Sequence, residues 1–233
     1  MTLSIEPIEG IGEIRPGDDL AGLLASALHP LGPSDGDVVV VTHKVVSKAE
    51  GALVELGDDG VDAHRAVVED QSVRVVRRRG DLVIAETRHG FICANAGVDR
   101  SNTAAATAVL LPEDPDRSAR RIRDRIGAVV GVRPAVVISD TFGRPWRRGL
   151  VDVAIGVAGM APIEDLRGTT DSYGRVLDVT EVNVADEMAA AADLVMGKAS
   201  GICAVLIRGI GVPERRGSVI EDVVRPPEED LFR

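Results

Sequence analysis

The chain has 233 residues, 45% hydrophobic but only 2% aromatic, with 37 acidic against 27 basic side chains and a net charge of −10. That length allows one large domain or two small ones with a substantial core, and the core must be packed from Val, Ile, Leu and Ala, with Trp146 as its one large anchor. A chain this acidic is not expected to bind nucleic acid, which is driven by neutralising phosphates. A phosphorylated small molecule remains a fitting ligand wherever positive charge gathers locally. The opening MTLSIEPIEG lacks the apolar run of a signal peptide, and the apolar stretches are too short and interrupted to span a bilayer. Cys93 and Cys203 lie in apolar surroundings without metal-type spacing, and read as buried free thiols suited to a reducing compartment. A soluble, cytoplasmic protein is expected.

Short β-branched runs alternate with helical patterns. Ser4 to Ile8 predicts an edge strand and Val38 to Val41 a buried one, with further strands at Leu82 to Ala85, Ala135 to Ile138 and Ala204 to Ile207. Helices are predicted at Asp18 to Leu28, Val61 to Arg77, Arg117 to Ile126, and Val184 to Met196 with Asn183 as N-cap. The basic run RRRGD, residues 77–81, reads as the solvated end of a helix, where cations suit the dipole. Without a regular βαβ rhythm the class is α+β, and a soft domain boundary is placed near residues 70–82.

Five segments are rich in residues that do not help a core. EGIGEI, residues 9–14, is a glycine turn after a strand, fit either for a close backbone approach to a ligand or for a plain turn. VVVVTHKVVSKAEG, residues 38–51, runs a buried strand into Thr42, His43, Lys44, Ser47 and Lys48. Its two lysines, four positions apart, suit one phosphate chain, or else a solvated helix face. No GxxxxGK[ST] motif occurs, so a nucleotide site here is not a P-loop.

ANAGVDRSN, residues 94–102, brings Asp99, Ser101 and Asn102 together, as a hard cation or a capping turn would require. AVVISDTFGRPWRRG, residues 135–149, is read as a strand ending at Asp140 and Thr141, then a turn carrying Arg144, Trp146, Arg147 and Arg148. In so acidic a chain these arginines point to an anionic ligand. RGIGVPERRGS, residues 208–218, is a glycine-rich loop that could cover a phosphate or stand free. His29, His43, His64 and His89 have no zinc-type spacing, so no zinc site is expected. Carboxylates, cations and backbone donors together fit metal-assisted phosphoryl transfer.

Taken together, PIEGIGEIRPGDDL, VVVVTHKVVSKAEG, AGVDRSN, ISDTFGRPWRRG, DSYGRVLDVTEVNVADEMAAAADLVMGK and RGIGV resemble the coenzyme F420-0:L-glutamate ligase family over essentially the whole chain. The resemblance implies a two-domain α+β fold forming an intertwined homodimer. It implies GTP as phosphoryl donor, L-glutamate and coenzyme F420-0 or dehydro-F420-0 as the joined substrates, and an acyl-phosphate intermediate. The metal would be Mg²⁺ or Mn²⁺, as two divalent ions, with K⁺ a further candidate. By motif match Asp99 and Asp140 would hold one metal and Thr141 a second, with Asp99, Asp140 and Arg144 catalytic. Ile11, Gly12, Glu13, Ile14, His43, Lys48, Asn102 and Glu214 would border the nucleotide. His43 stands where the family more often has a small hydroxyl residue. The chain stops at Arg233, so the expected form is the stand-alone module without the nitroreductase-like domain fused to some relatives. The alternatives are a related metal-dependent amide ligase for another phosphorylated carboxylate, or a non-catalytic nucleotide or cofactor carrier.

Overall fold

The structure, a computed structural model, describes residues 2–57, 60–100 and 106–230. The chain opens with β1 (Ser4–Pro7), α1 (Leu20–Leu28), β2 (Val38–Thr42) and α2 (His43–Ala49). A second stretch follows: β3 (Leu53–Glu55), α3 (Gly60–Asp70), β4 (Ser72–Arg79), β5 (Leu82–Thr87), β6 (Ile92–Ala94) and β7 (Thr107–Val109). It closes with α4 (Pro115–Val130), β8 (Ala135–Gly143), β9 (Leu150–Ala158), β10 (Ile163–Asp165), β11 (Glu181–Asn183), α5 (Val184–Met196), β12 (Ala204–Arg208) and α6 (Val219–Asp222).

The first and last stretches interleave in a five-stranded sheet of order β1-β12-β2-β8-β9. Only β2 and β8 run parallel, Val38 opposite Ala135 through Thr42 opposite Ser139, and the other pairs are antiparallel. The sheet is mixed and the class is α+β, as the sequence predicts. Val38 to Val41, Ala135 to Ile138 and Ala204 to Ile207 are buried at every position. A strand buried without alternation needs cover on both faces. It comes from α4, packed on α1, β8 and β9, and from α5, packed across β1, β8, β9 and β12.

Capping decides where these helices start. Asp114 accepts from the Arg117 N–H at 2.8 Å, with Pro115 at the first turn, and α4 ends at Gly131 in the left-handed region. Asn183 accepts from the Asp186 N–H at 3.0 Å, so α5 matches the predicted helix residue for residue.

A second, smaller core joins Leu56, Val68, Val83, Ala85, Ala96, Val98 and Ala108. It lies under the β4-β5-β6 sheet and the β3-β7 pair. Here two sequence expectations need correction. The helix placed over Val61 to Arg77 ends at Asp70, and RRRGD is no helix end but the tip of the β4–β5 hairpin, Arg79 opposite Leu82. SVRVV is rich in β-branched residues and finds a pairing partner in β5, which outweighs the local helical spacing. Nor does β8 end at Asp140 and Thr141: it continues to Gly143 against β9. Trp146, expected as a core anchor, sits in the β8–β9 turn with 85% of its surface exposed. Among the described residues no helix is long and apolar enough to cross a membrane.

The start of α4 is fixed to β9 and α6 by one buried carboxylate. Asp116 Oδ1 accepts from the backbone N–H of Val157 at 2.8 Å and of Val219 at 3.1 Å, while Oδ2 accepts from Ser218 Oγ at 2.6 Å. The approach is so close that a Cβ on Gly156 would meet the Pro115 carbonyl at 2.5 Å. Gly156→Ala should therefore cost about 1–3 kcal/mol through overpacking, read as a lower urea midpoint. An unchanged midpoint would show that α4 can shift without penalty.

Candidate functional site

Ligands of open α/β sheets lie beyond the carboxyl ends of parallel strands. The corresponding crevice, beyond β2 and β8, is a cavity of about 350 Å³. The turn Ile11–Ile14 forms one wall, Thr42 and α2 the next, Asp140, Thr141 and Asp152 the floor, and the loop 197–203 between α5 and β12 the far side. Lys44 and Lys48 are one helical turn apart on α2, so both reach this space.

The floor is built by the β8–β9 register. Thr141 lies opposite Asp152 and Ser139 opposite Ala154, after a one-residue shift between Ile138 and Ser139. Ser139 and Thr141 therefore share a face, and both turn to Asp152. Ser139 Oγ donates to Asp152 Oδ2 at 3.0 Å and Thr141 Oγ1 to Oδ1 at 2.5 Å. Lys198 donates to Thr141 Oγ1 and stands 3.6 Å from Asp152 Oδ1 and 3.7 Å from Asp193 Oδ1. Asp140, one residue along the strand, points to the opposite face. Its Oδ1 accepts from the Thr141 N–H at 2.7 Å and lies 3.2 Å from His43 Nε2.

Three ammonium groups thus meet carboxylates around one space. Lys48 Nζ donates to Glu13 Oε1 at 2.6 Å, Lys44 Nζ lies 2.6 Å from Asp99 Oδ2, and Lys198 bridges Asp152 and Asp193. Glu13 is exposed, so its pair adds little stability; its consequence is to hold Lys48, nine-tenths buried, at the cavity wall. As for cations, Asp140, Thr141 and Asp152 offer hard oxygen atoms. Among the described residues no three His, Cys, Asp or Glu side chains form a ready cage. The donors present suit an ion that completes its shell with phosphate oxygens and water, as Mg²⁺ does.

The structure brings together Ile11, Gly12, Glu13, Ile14, Lys48, Asp140 and Thr141. Asp99 reaches the group through Lys44. His43 packs behind Asp140 instead of lining the cavity. Arg144 lies in the exposed β8–β9 turn, so lysines, not the arginine cluster, supply the cations at the wall. Glu214 accepts from Arg123 Nη2 at 2.7 Å beside Gly36, Ala135 and Gly159, at the opposite ends of β2 and β8. Ser101 and Asn102 lie outside the described residues. Sequence reasoning passed over Asp152, Asp193 and Lys198. The available signal was the Gly197-Lys198 step closing the α5 pattern.

The fold and cavity define an α+β protein with a strand-end crevice walled by three lysines, each paired with a carboxylate. The model of the F420-0:gamma-glutamyl ligase family matches residues 10–209, and the chain belongs to that family. It is 43% identical to the coenzyme F420:L-glutamate ligase of Methanothermobacter thermautotrophicus over the whole of both chains. The corresponding ligase of Methanopyrus kandleri is 43% identical, covering all of this chain and 98% of the relative. That of Archaeoglobus fulgidus is 40% identical over all of this chain and 97% of the relative.

Cys93 adjoins the floor from β6. Burial first, and then the nearby Asp140 charge, push its thiol from the ordinary 9.0 up to about 12. Cys203, half-buried at the cavity wall and so less enclosed than expected, is pushed by burial to about 11. Since the thiolate is the reactive form, Cys93 should alkylate far more slowly at pH 8 than an unshifted thiol. Iodoacetamide labelling followed by peptide mass spectrometry should show Cys93 modified only after denaturation. Rapid labelling of the folded protein would contradict this.

Proposed function

We propose that this chain joins L-glutamate to coenzyme F420-0, or its dehydro form, through an amide bond between the precursor's carboxylate and the glutamate nitrogen, with GTP as phosphoryl donor and Mg²⁺ or Mn²⁺ as the metal, in the cytoplasm. The ligase activity in coenzyme F420 biosynthesis follows from family membership over the full chain. The observation that supports the donor and metal is the convergence of Lys44, Lys48 and Lys198 with Asp140 and Thr141 on one crevice.

A carboxylate does not condense with an amine directly, because its oxygen is a poor leaving group. In the proposed sequence a carboxylate oxygen of the precursor attacks the γ-phosphorus of GTP and the bond to GDP breaks, forming an acyl phosphate. The neutral amine of glutamate then attacks the acyl carbon. A C–N bond forms, the C–O bond to phosphate breaks, and the nitrogen releases a proton. The three lysines would offset phosphate charge, and the Ile11–Ile14 turn would border the nucleotide, a role the motif match also gives Asn102. Asp99 and Asp140 would hold one divalent ion and Thr141 a second, with K⁺ as a further candidate. Bound there, the ions would offset negative charge on the transferring phosphoryl group. Arg144 would meet an anionic substrate group from the β8–β9 turn, whereas Glu214, at the far end of the sheet in its own chain, would reach a nucleotide only in the homodimer.

We further propose an intertwined homodimer of a two-subdomain chain. The solvent face and edge of β4 support it: Val73, Val75 and Val76 are exposed on a strand paired on one side only.

Purified protein with GTP, Mn²⁺, L-glutamate and F420-0 should release GDP and phosphate in step with glutamate addition, followed by product mass. Tight GTP binding without turnover would favour a carrier, and turnover only with another acceptor a related ligase. Asp140→Asn should lower turnover by at least about 100-fold, more than loss of an outer partner does, with an unchanged circular dichroism spectrum. Full activity at ordinary metal concentration would remove Asp140 from the metal site. Sedimentation should give a dimer that Val75→Lys weakens. A wild-type monomer would end that assignment.

A further inference from the structure

His43 is the first residue of α2, directly after the end of β2, and only 1% of its surface is exposed. It does not line the cavity, whereas Asp140, which does, stands 3.2 Å from its Nε2. On the other side of the ring, Nδ1 lies 3.4 Å from the hydroxyl of fully buried Ser47, one helical turn on. A line of polar groups therefore runs from the core to the cavity floor: Ser47, His43, Asp140.

A histidine merely filling the core would place both ring nitrogens against partners of its own. Here Nε2 has no well-formed hydrogen bond with any described group, and leaving a buried donor unpaired is costly. The acceptor within reach is Asp140 Oδ1. That same oxygen already accepts the Thr141 N–H at 2.7 Å. Both inward contacts fall on Oδ1, and among the described residues no hydrogen bond engages Oδ2, which is left for whatever enters the cavity.

We propose that His43 is a positioning residue: its imidazole, set by Ser47, holds Asp140 Oδ1 inward so that Oδ2 is presented to the cation. The proposal rests on the reading of Asp140 as a metal-binding carboxylate. Outer partners of this kind fix the orientation of a ligating group, and their loss typically weakens metal binding 10- to 100-fold. The required tautomer carries its proton on Nε2, with Nδ1 accepting from Ser47. His43 then acts through Asp140 and not on the nucleotide.

Histidine ¹⁵N NMR of the full wild-type chain tests the contact without any metal. The expected result is a neutral ring protonated on Nε2, whose Nε2 resonance moves in Asp140→Asn. A ring protonated on Nδ1, or an unmoved resonance, overturns the proposal. Mn²⁺ titration followed by electron paramagnetic resonance then tests the consequence. His43→Leu, which removes the donor, should weaken Mn²⁺ binding about 10- to 100-fold. His43→Gln, which keeps a donor near the Nε2 position, should stay near wild type, and neither variant should alter GDP binding measured without Mn²⁺. Equal Mn²⁺ affinity in the two variants, or loss of GDP binding with Mn²⁺ affinity intact, overturns it. A wild type that binds Mn²⁺ no better than Asp140→Asn defeats the metal reading of Asp140 itself, and the proposal with it. The NMR result shows which of the two has failed, and because it needs no His43 variant it stands even if His43→Leu does not fold.

Discussion

The register of β8 against β9 is the constraint on which the rest of the site depends. Side chains alternate along a strand, so a slip of one residue would send every group to the other face. The shift between Ile138 and Ser139 leaves Ile155 of β9 as the extra residue and sets Thr141 opposite Asp152. On one face Ser139 and Thr141 then share a buried carboxylate. On the other, Asp140 is delivered to His43. Parallel pairing of β2 with β8 places Thr42 opposite Ser139, which brings the start of α2 and its lysines alongside. The cavity is the meeting point of these registers.

Its electrostatics run against the composition. The chain is strongly acidic, yet Lys44, Lys48 and Lys198 gather at one crevice, each held by a carboxylate. Such pairs keep mobile ammonium groups near the cavity while limiting the cost of enclosing charge. The proposed triphosphate would offer these lysines better-matched acceptors, and carboxylates released from them would be the kind of group a divalent cation needs. The side chains that neutralise one another at the crevice are thus the same ones the proposed anionic ligand would engage.

The site is also stiff where it needs to be. Its floor is strand, buried from Ala135 to Ser139 and from Asp152 to Ala158, and α4 is fixed to β9 through Asp116. Of the other walls, one is helix α2 and two are a glycine turn and the loop 197–203. Rigid strands carrying the carboxylates and looser segments carrying part of the ligand shell suit the proposed reaction, in which nucleotide, amino acid and acceptor must enter and three products leave.

The sequence by itself determined the α+β class, the buried strands at Val38, Ala135 and Ala204, the helix from Val184 to Met196, and the family through its ordered motifs. These are local signals: apolar runs, capping residues and short contiguous segments read without knowing the neighbours. It also located Ile11 to Ile14, Lys48, Asp140 and Thr141, whose neighbours in the chain carry the same chemistry. Only the tertiary structure decided that SVRVVRRR is a strand, because its partner is β5 and not its own helical turn. Only the structure brought in Asp152, Asp193 and Lys198, set Arg144 and Trp146 out in solvent, and put Glu214 at the far end of the sheet in this chain. It also turned His43 away from the cavity and onto Asp140. Each of these depends on strand register and on which face a side chain takes, and those are fixed by pairing between segments far apart in sequence.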